Sequence, residues 1–465
     1  MTWFSALPTP ETQVGIAIET TRGEPKAPDF WVPVTGPKYK PDVQFLPDAG
    51  LRGSMVTLYD EVPGLRYDSY AWDHHPYLDT LPVELRALLG STDTLTAAPI
   101  IAELAKEAKV ADTTIEVSAV GPEGSKVVIE PGSVEQEIFT ITKVVGKVLT
   151  LSGKIAKVHA NKAAITVATE LVKEALVGDT KITTIASIPA GSYVVIGAGV
   201  GTMETHVTGT PVEVKAGEWT IPLTYPVAFA HANKAIVEGL VKHQFSLLNN
   251  SPATGNQPPS CTITDFAGEE NWRQLAAAQL NTLNISGAAD SLPKVTVDWF
   301  ANGAIKPSPP SASYSTAEAP AGWAVQASIG GTQIAYLVTW EFDSKRNVKN
   351  VPAITGNQNY YQHFAGALEA TAKVVVLDDP KATWLTAFQE GASESIDLTL
   401  SDVASGFAVN LHSSSAKFIT GDLDRSKEYV EVPLELQLIP SPADALAGGV
   451  SPIIATVANA HTTVY

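Results

Sequence analysis

The sequence predicts a mainly β protein that contains a duplicated strand-plus-helix module and an inserted pair of small all-β repeats. Three observations predict this fold class. An alternating strand followed by a short capped helix occurs twice, a shorter repeat occurs twice between residues 99 and 237, and strand candidates follow in the same order in both halves.

The first strand-plus-helix element runs from Gly64 to Gly90. Period-2 alternation over residues 64–72 is typical of a strand. Asp79 is the expected N-cap of the helix, Pro82 lies in its first turn, and Gly90 is the expected C-cap. The apolar side of this helix consists of Leu81, Leu85, Leu88 and Leu89.

The second element runs from Gly366 to Gly391 and has the same order of features. Residues 366–377 alternate as a strand, and Asp378 or Asp379 precedes a helix with a proline in its first turn. The apolar side of this helix consists of Trp384, Leu385 and Phe388. Two such elements far apart in one chain indicate a duplicated module.

The insertion at residues 99–237 has its own repeat. Residues 124–129 are echoed by residues 191–196, and His-Ala-Asn-Lys-Ala occurs at both 159–163 and 231–235. Each unit, about 99–172 and 173–237, is expected to be a small β unit with glycine turns. The insertion has 12 lysines, no arginine and 14 acidic residues, so its net charge is −2 and the remaining scaffold carries −16.

The other segments are assigned from turn residues and alternation. We expect irregular arms at residues 1–14, with Trp3 and Phe4, and from Pro440 onward, loops at 37–60 and 343–362, and a Pro/Ser-rich linker at 306–322. Strands are expected at residues 14–19, 30–34, 242–248, 260–266, 279–287, 294–300, 324–329, 334–342, 395–400, 406–410, 415–419 and 429–438.

Composition excludes several classes of protein. A length of 465 residues suits two or three domains. A net charge of −18 argues against a protein that binds nucleic acid tightly, because tight binding needs clustered basic residues. The single Cys261 excludes a disulfide framework and is expected to be a buried thiol. The sequence lacks a recognisable signal peptide and a 20-residue apolar run, so we expect a cytoplasm-like compartment and no membrane association.

The sequence offers weak candidates for chemistry. Asp73-His74-His75, with Asp68 and Asp79 nearby, is the best candidate metal site, but neighbouring histidines on a strand point to opposite faces. A polar strand end is the preferred interpretation. The repeated His159 and His231 are expected to serve turns or packing, and Asp378 and Asp379 to cap a helix rather than form an acid/base pair.

Two glycine-containing segments do not fit nucleotide-binding motifs. Residues 197–201 follow a strand, but the third glycine is one position early and no helix follows, so a hairpin turn is expected. Residues 153–155 lack the rest of a phosphate loop. We therefore predict no catalytic residues, no metal and no cofactor.

Several segments together resemble the major tail tube proteins of long-tailed, non-contractile bacteriophages of actinobacteria. They are residues 14–25, 31–34, 51–55, 59–64, 258–266, 273–280 and 364–369. The resemblance covers roughly residues 13–98 and 238–445, and the insertion departs from it.

The resemblance implies packed antiparallel sheets with a flanking helix, and rings that stack into a hollow tube. The tube would surround the tape-measure protein, meet tail terminator and tail-tip proteins, and later conduct DNA without sequence-specific contacts. A chain with two modules implies a homotrimeric, pseudo-hexameric ring, and a homohexamer is the alternative. The resemblance also implies a place in the virion tail after assembly in the bacterial cytoplasm.

The domain division follows from these observations. It assigns a first module to residues 1–98 and 238–305, the insertion to 99–237, a linker to 306–322, a second module to 323–445 and a C-terminal arm to 446–465. An acidic scaffold suits a lumen that repels phosphate, and the loops at 37–62 and 343–363 and the terminal arms are expected to bridge rings. Two alternatives stay open: a virion or surface protein whose repeats at 99–237 bind glycans, and a hydrolase that uses His74, Asp68 and Asp79.

Overall fold

A computed structural model gives the architecture of most of the chain. It describes residues 12–50, 52–53, 55–95, 101–118, 126–130, 135, 137–185, 187–197, 203–215, 218–252, 255–267, 272–306, 312–314, 317–377, 384–402, 405–461 and 463–465. Residues 1–11 of the expected N-terminal arm, with Trp3 and Phe4, and the expected capping residues Asp378 and Asp379 lie outside this description, and the last two residues of that arm begin β1.

The first part of the chain forms four strands and a helix. They are β1 (Gln13–Ile18), β2 (Phe30–Val32), β3 (Val34–Asp48), β4 (Asp60–His74) and α1 (Leu81–Leu89). The end of β4 alternates between buried and half-exposed side chains, as the sequence predicts. Gly90 ends α1 with φ of 87°, a left-handed conformation that glycine adopts without a Cβ clash.

The insertion forms short strands in two units. They are β5 (Ile101–Glu103), β6 (Thr114–Glu116), β7 (Lys126–Ile129), β8 (Glu137–Val145), β9 (Val148–Leu151), β10 (Ala164–Glu170), β11 (Lys181–Thr184), β12 (Tyr193–Ile196), β13 (Glu204–Val207), β14 (Val212–Lys215), β15 (Glu218–Pro222) and β16 (Ile236–Gly239). Ile141 lies in the core of the first unit and Ile221 in that of the second. The units join where β10 pairs with β16 at Thr169↔Val237.

The remaining chain completes the scaffold. Its elements are β17 (Val241–Ser246), β18 (Cys261–Phe266), β19 (Arg273–Ala288), β20 (Lys294–Ala301), β21 (Gln326–Ile329), β22 (Thr332–Gln333), β23 (Leu337–Lys345), β24 (Lys349–Val351), β25 (Gln362–Phe364), β26 (Glu369–Leu377), α2 (Trp384–Glu390), β27 (Ser393–Ser401), β28 (Ala408–Gly421), β29 (Glu431–Leu438) and β30 (Ile454–Asn459). Short 3-10 helices lie at Gly322–Ala324 and Pro442–Asp444.

The scaffold is mainly β and consists of antiparallel strands in two connected layers. One layer is an eight-strand run in the order β3-β4-β20-β19-β23-β26-β29-β28. The second layer contains β2-β1-β18 beside the first half of β19, and β22-β21-β27 beside the first half of β28, with β30 and β17 beyond. A common apolar core lies between the layers, and the indole rings of Trp72 and Trp299 stack there with centroids 5.7 Å apart.

The two halves of the scaffold share their strand pairing, including its irregularities. The β19–β20 pairing shifts between Leu280 and Thr282, and the β28–β29 pairing shifts between Phe418 and Thr420. The β18–β19 and β27–β28 pairings also each contain a shift at matching places. Bulges are specific features of a strand pair. The duplication expected from the sequence therefore extends to the register of the sheets.

The expected loop at residues 37–62 is wrong, because most of this segment is a long β-hairpin. β3 pairs with β4 from Val34↔His74 to Asp48↔Asp60. Its prolines argued for a loop in the sequence, but β3 pairs only with β4 among the described strands. An edge strand tolerates proline, because the missing N–H lies on its unpaired side.

Three smaller expectations also need correction. The expected loop at 343–362 is shorter, because β23 continues to Lys345 and β24 pairs with β25. The two strands expected at 406–410 and 415–419 are a single strand, β28, with a bulge. Thr80, not Asp79, is the N-cap of α1, and its side chain makes no capping hydrogen bond.

The C-terminal segment is ordered, so the expectation of an irregular arm beyond Pro440 is also wrong. β30 pairs with β17 on one side and with the first half of β28 on the other. Asn459 donates hydrogen bonds from Nδ2 to the carbonyl of Leu78 (3.0 Å) and to the hydroxyl of Tyr465 (2.7 Å). This segment therefore ties the two halves of the chain together.

Replacing Tyr465 with alanine should destabilise the scaffold by about 3 kcal/mol, since the side chain is 5 % exposed and its loss leaves a cavity. The adjacent Val464 is 58 % exposed, so Val464→Ala is the matched control and should change stability little. Chemical denaturation of both variants measures the difference. Equal stability of the two variants would contradict the packing role of Tyr465.

Candidate assembly surfaces

The eight-strand layer has one face toward the core and one face away from it. Burial alternates along β4, β20, β23, β26 and β29, so that every second side chain points out of the core. We call this outward side the open face. It is defined by the outward residues of β4, β20, β19, β23, β26 and β29.

Carboxylates outnumber lysines on the open face. Its acidic side chains include Asp73, Asp298, Glu341, Asp343, Glu369 and Glu435, and its lysines include Lys294, Lys345 and Lys373. Each of these three lysines lies beside a carboxylate. Lys294 Nζ is 2.9 Å from Asp73, and Lys373 Nζ is 3.6 Å from Glu435 and 3.9 Å from Glu341.

These ion pairs affect the protonation of the face. Burial alone would raise the pKa of Asp73, but Lys294 and Thr296 hold it below its ordinary value. Asp298 is more enclosed, and burial raises its pKa even though Asn281 donates to it at 3.0 Å. Near neutral pH the face is therefore acidic, and its cations are already engaged with carboxylates.

The β3–β4 hairpin extends an apolar surface beyond the layers. Exposed apolar side chains on it and its tip are Phe45, Leu46, Met55, Val56, Leu58 and Val62. Its base contacts the second half of the chain, where the backbone N–H of Arg66 donates to the carbonyl of Gln358 at 2.7 Å. A cluster of exposed apolar side chains of this kind marks a contact surface.

The insertion packs against the second layer, on the side opposite the open face. Tyr193 is buried in the scaffold core, and the side chain of Val195 lies against the Cα of Gly406. A cavity of about 210 Å³ lies between the second unit and β21, β27 and β28. Tyr193, Tyr225 and Asp397 line it.

The repeated histidines lock a turn in each unit. Glu204 accepts hydrogen bonds from His231 Nε2 (2.6 Å) and His206 Nε2 (2.9 Å), and also from the backbone N–H groups of Ala228 and Phe229. Glu137 accepts from His159 Nε2 at 2.9 Å and from backbone N–H groups in the same way. Burial would raise the pKa of Glu204, but these donors lower it to about 2.

The structure disperses the candidate metal ligands. His74 is buried and its Nε2 lies 2.9 Å from Glu84 of α1, whereas His75 Nδ1 lies 2.8 Å from the carbonyl of Pro293. Asp68 accepts from the Tyr39 hydroxyl at 3.0 Å, and Asp79 lies in the turn before α1. Within the described ranges, no group of three or more His, Cys, Asp or Glu residues is placed to hold a metal ion.

The remaining candidates also have structural surroundings. Cys261 is buried, and burial raises the pKa of its thiol. Residue 197 follows β12, and residues 198–201 lie outside the description. Residues 153–155 follow β9, and Ile155 belongs to the core of the first unit.

Comparison with known proteins supplies the family. The sequence profile of the phage tail tube protein family matches residues 9–438. The chain belongs to this family. No curated protein matches the chain.

This membership confirms the resemblance to phage tail tube proteins. As a tail tube protein, the chain is a structural protein of the virion tail that assembles with itself into rings of a tube and meets other tail components. No helix in the described part of the chain is long and apolar enough to cross a membrane.

The β3–β4 hairpin is a candidate contact surface that the sequence analysis missed. The alternation of Lys38, Lys40 and Asp42 with Tyr39 and Pro41 was a signal for a strand there.

The lowered pKa of Glu204 predicts an acid-sensitive second unit. Its stabilising contribution is fully present above the ordinary pKa of about 4.5 and is lost as the pH falls toward about 2. Glu204→Gln should destabilise this unit at neutral pH and reduce its loss of stability between these pH values. Hydrogen exchange of residues 171–239 measures both effects.

Glu174→Gln is the control, because Glu174 is exposed in the same unit. A Glu204→Gln protein that keeps the wild-type acid profile would contradict the assignment of Glu204 as the titrating group.

Proposed function

We propose that this chain is the tail tube subunit of a long-tailed, non-contractile phage, and that three copies close into a pseudo-hexameric ring. The observation that carries this proposal is the eight-strand layer, which contains two equivalent four-strand halves and ends in the edge strands β3 and β28. A sheet with two edges invites further pairing, and ring closure removes both edges.

The size of such a ring is consistent with DNA passage. Three chains supply about 24 strands, and at about 4.8 Å per strand the barrel has a diameter of about 37 Å before strand tilt widens it. This is wider than a DNA duplex. Six chains would double the strand number and give a much wider bore, so the duplication favours three.

The open face is the proposed lining of the bore. Its carboxylates repel phosphate, and its lysines are held by Asp73, Glu341, Asp343 and Glu435 rather than presented to DNA. Tight DNA binding needs free cations that release counterions from phosphates. An acidic lining with paired lysines lets DNA, and before it the tape-measure protein, fill the tube without sticking.

The other surfaces have proposed roles in the same assembly. The exposed apolar side chains of the β3–β4 hairpin suit contacts between stacked rings, and the insertion at 99–237, packed on the opposite layer, faces outward. We retain the domain division given above, except that residues 446–465 belong to the scaffold, because β30 pairs with β17 and β28. Terminator and tail-tip proteins are the proposed partners at the ends of the tube. Assembly takes place in the bacterial cytoplasm. The chain has no catalytic role in this proposal. Glycan binding by the insertion stays a prediction.

Imaging the purified full-length chain by negative-stain electron microscopy over a concentration series tests the proposal. We expect stacked rings with threefold symmetry and three outer lobes, one from each insertion. Six lobes would favour the homohexamer. A chain that forms no rings at any concentration, even when phage tail-tip complexes are added as initiators, would contradict the proposal.

Charge reversal tests the lining of the bore. Glu341→Lys with Asp343→Lys should make assembled tubes retain a short fluorescent DNA duplex at low salt, because both side chains lie on the open face. Retention should fall steeply with added salt, as counterion release requires. Co-sedimentation of duplex with tubes measures it.

The control is Glu107→Lys with Glu174→Lys, which changes charge by the same amount on exposed residues of the insertion. The variants are compared only after microscopy shows tubes for each. Equal retention of the DNA duplex by both variants would place the β23 carboxylates outside the bore.

A further inference from the structure

β3 and β23 occupy equivalent places in the two halves, but they differ in their outer edge. Each pairs with the strand that precedes a helix, β4 or β26, and each contains one extra residue near its start. β23 also pairs through its other edge with the second half of β19, from Thr282↔Lys345 to Ala288↔Thr339. Among the described residues, β3 pairs with β4 alone.

β28 carries the complementary edge. It is the equivalent of β19, since both bulges match, and β27 covers it only as far as the pair Ser393↔Lys417. Beyond that pair, the strand continues in register with β29 to the bridge Asp424↔Glu431. The corresponding part of β19 is the part that β23 covers.

We propose that β3 of one copy of this chain pairs, antiparallel, with residues 420–424 of the β28–β29 hairpin of the next copy. The register is the one that β23 and β19 adopt inside the chain. The proposal rests on the proposed ring and specifies its junction. Matching the bulges places Asp42 opposite Thr420, Lys40 opposite Asp422 and Lys38 opposite Asp424.

The charges of this register are complementary. Lys38 and Lys40 stand on one strand, and the residues opposite them are Asp424 and Asp422. Opposite charges directly across a strand pair stabilise it, and like charges destabilise it. Lys40 already pairs with Asp42 on its own strand and Asp424 accepts from the N–H of Ser426, so the new pairs extend existing networks.

The apolar side of the junction is also complementary. Tyr39 would lie opposite Leu423, as Phe342 lies opposite Ile285 inside the chain. Phe342 is 2 % and Ile285 0 % exposed, whereas Leu423 is 41 % exposed and Tyr39 half-buried. Pairing with a second copy would cover Leu423 as its counterpart is covered.

An opposing interpretation exists for the same residues. Lysine and proline on an edge strand are also the means by which soluble proteins prevent edge pairing. In the proposed register Pro41 lies opposite Gly421 and cannot donate a backbone hydrogen bond. This junction would therefore be weaker than the β19–β23 junction and specific to a hairpin with aspartates at two matching positions.

Paired cysteines test the register in the full-length chain, whose native Cys261 is buried. Lys40→Cys with Asp422→Cys should give disulfides between chains after mild oxidation of assembled tubes, because opposite residues have Cα atoms about 4.5–5.5 Å apart. Tyr39→Cys with Leu423→Cys tests the neighbouring pair. Non-reducing gels should show products that end at three chains.

Lys40→Cys with Asp424→Cys is the out-of-register control and should link poorly, since diagonal neighbours are about 7–8 Å apart. Tubes that form but link in neither in-register pair would overturn this junction and leave the proposed function intact. A wild-type chain that forms no rings would instead remove the proposed function.

Exchanging the charges of Lys40 and Asp422 distinguishes strand pairing between two copies from the protection of a free strand edge. Lys40→Glu should impair ring formation, measured as the concentration needed for half-maximal assembly by light scattering, and Lys40→Glu with Asp422→Lys should restore it. If Lys40 only protects a free edge, Lys40→Glu will leave assembly unchanged and the second substitution will have no rescuing effect. That result would overturn the proposal.

Discussion

The structure depends on two long strands that each pair with more than two neighbours. The first half of β19 lies beside β18 and its second half lies between β20 and β23. The first half of β28 lies between β27 and β30, and its second half lies beside β29. A strand changes layers in this way only if its backbone bends, and the bulges at matching places supply the bend. The two layers, the core between them and the outward direction of the open face all follow from these two strands.

A tube subunit has to be cohesive toward its neighbours and inert toward its contents. The open face combines carboxylates with lysines that they already hold, so its cations contribute to the sheet rather than to DNA binding. The buried apolar core lies between the layers, and a cluster of exposed apolar side chains lies on the β3–β4 hairpin. Cohesive and inert surfaces are thus separated by the alternation of side chains across one sheet.

The insertion has a different construction. Its units are small, and each uses one half-buried carboxylate, Glu137 or Glu204, to hold a turn through a histidine and two backbone N–H groups. The repeated histidine is preserved with its partner glutamate, which precedes it in the sequence by 22 residues in one unit and 27 in the other. Packing of Tyr193 and Val195 on the second layer keeps the insertion away from the open face.

The sequence by itself determined the local features of this protein. Alternation identified β4, β20 and β26, the leucines and Gly90 identified α1, and the repeated motifs identified the duplication, because each signal lies within a few residues. It did not determine which strands meet. Pro37, Pro41 and Pro47 made β3 look like a loop, and the Ala-, Gly- and Pro-rich tail hid β30, since strand formation there depends on partners between 12 and 218 residues away. For the candidate lining of the bore, the sequence predicted only the net negative charge of the scaffold and not the residues that form the lining. Only the tertiary structure decided which carboxylates share the open face, because that depends on register, and a shift of one residue would turn every side chain to the other side.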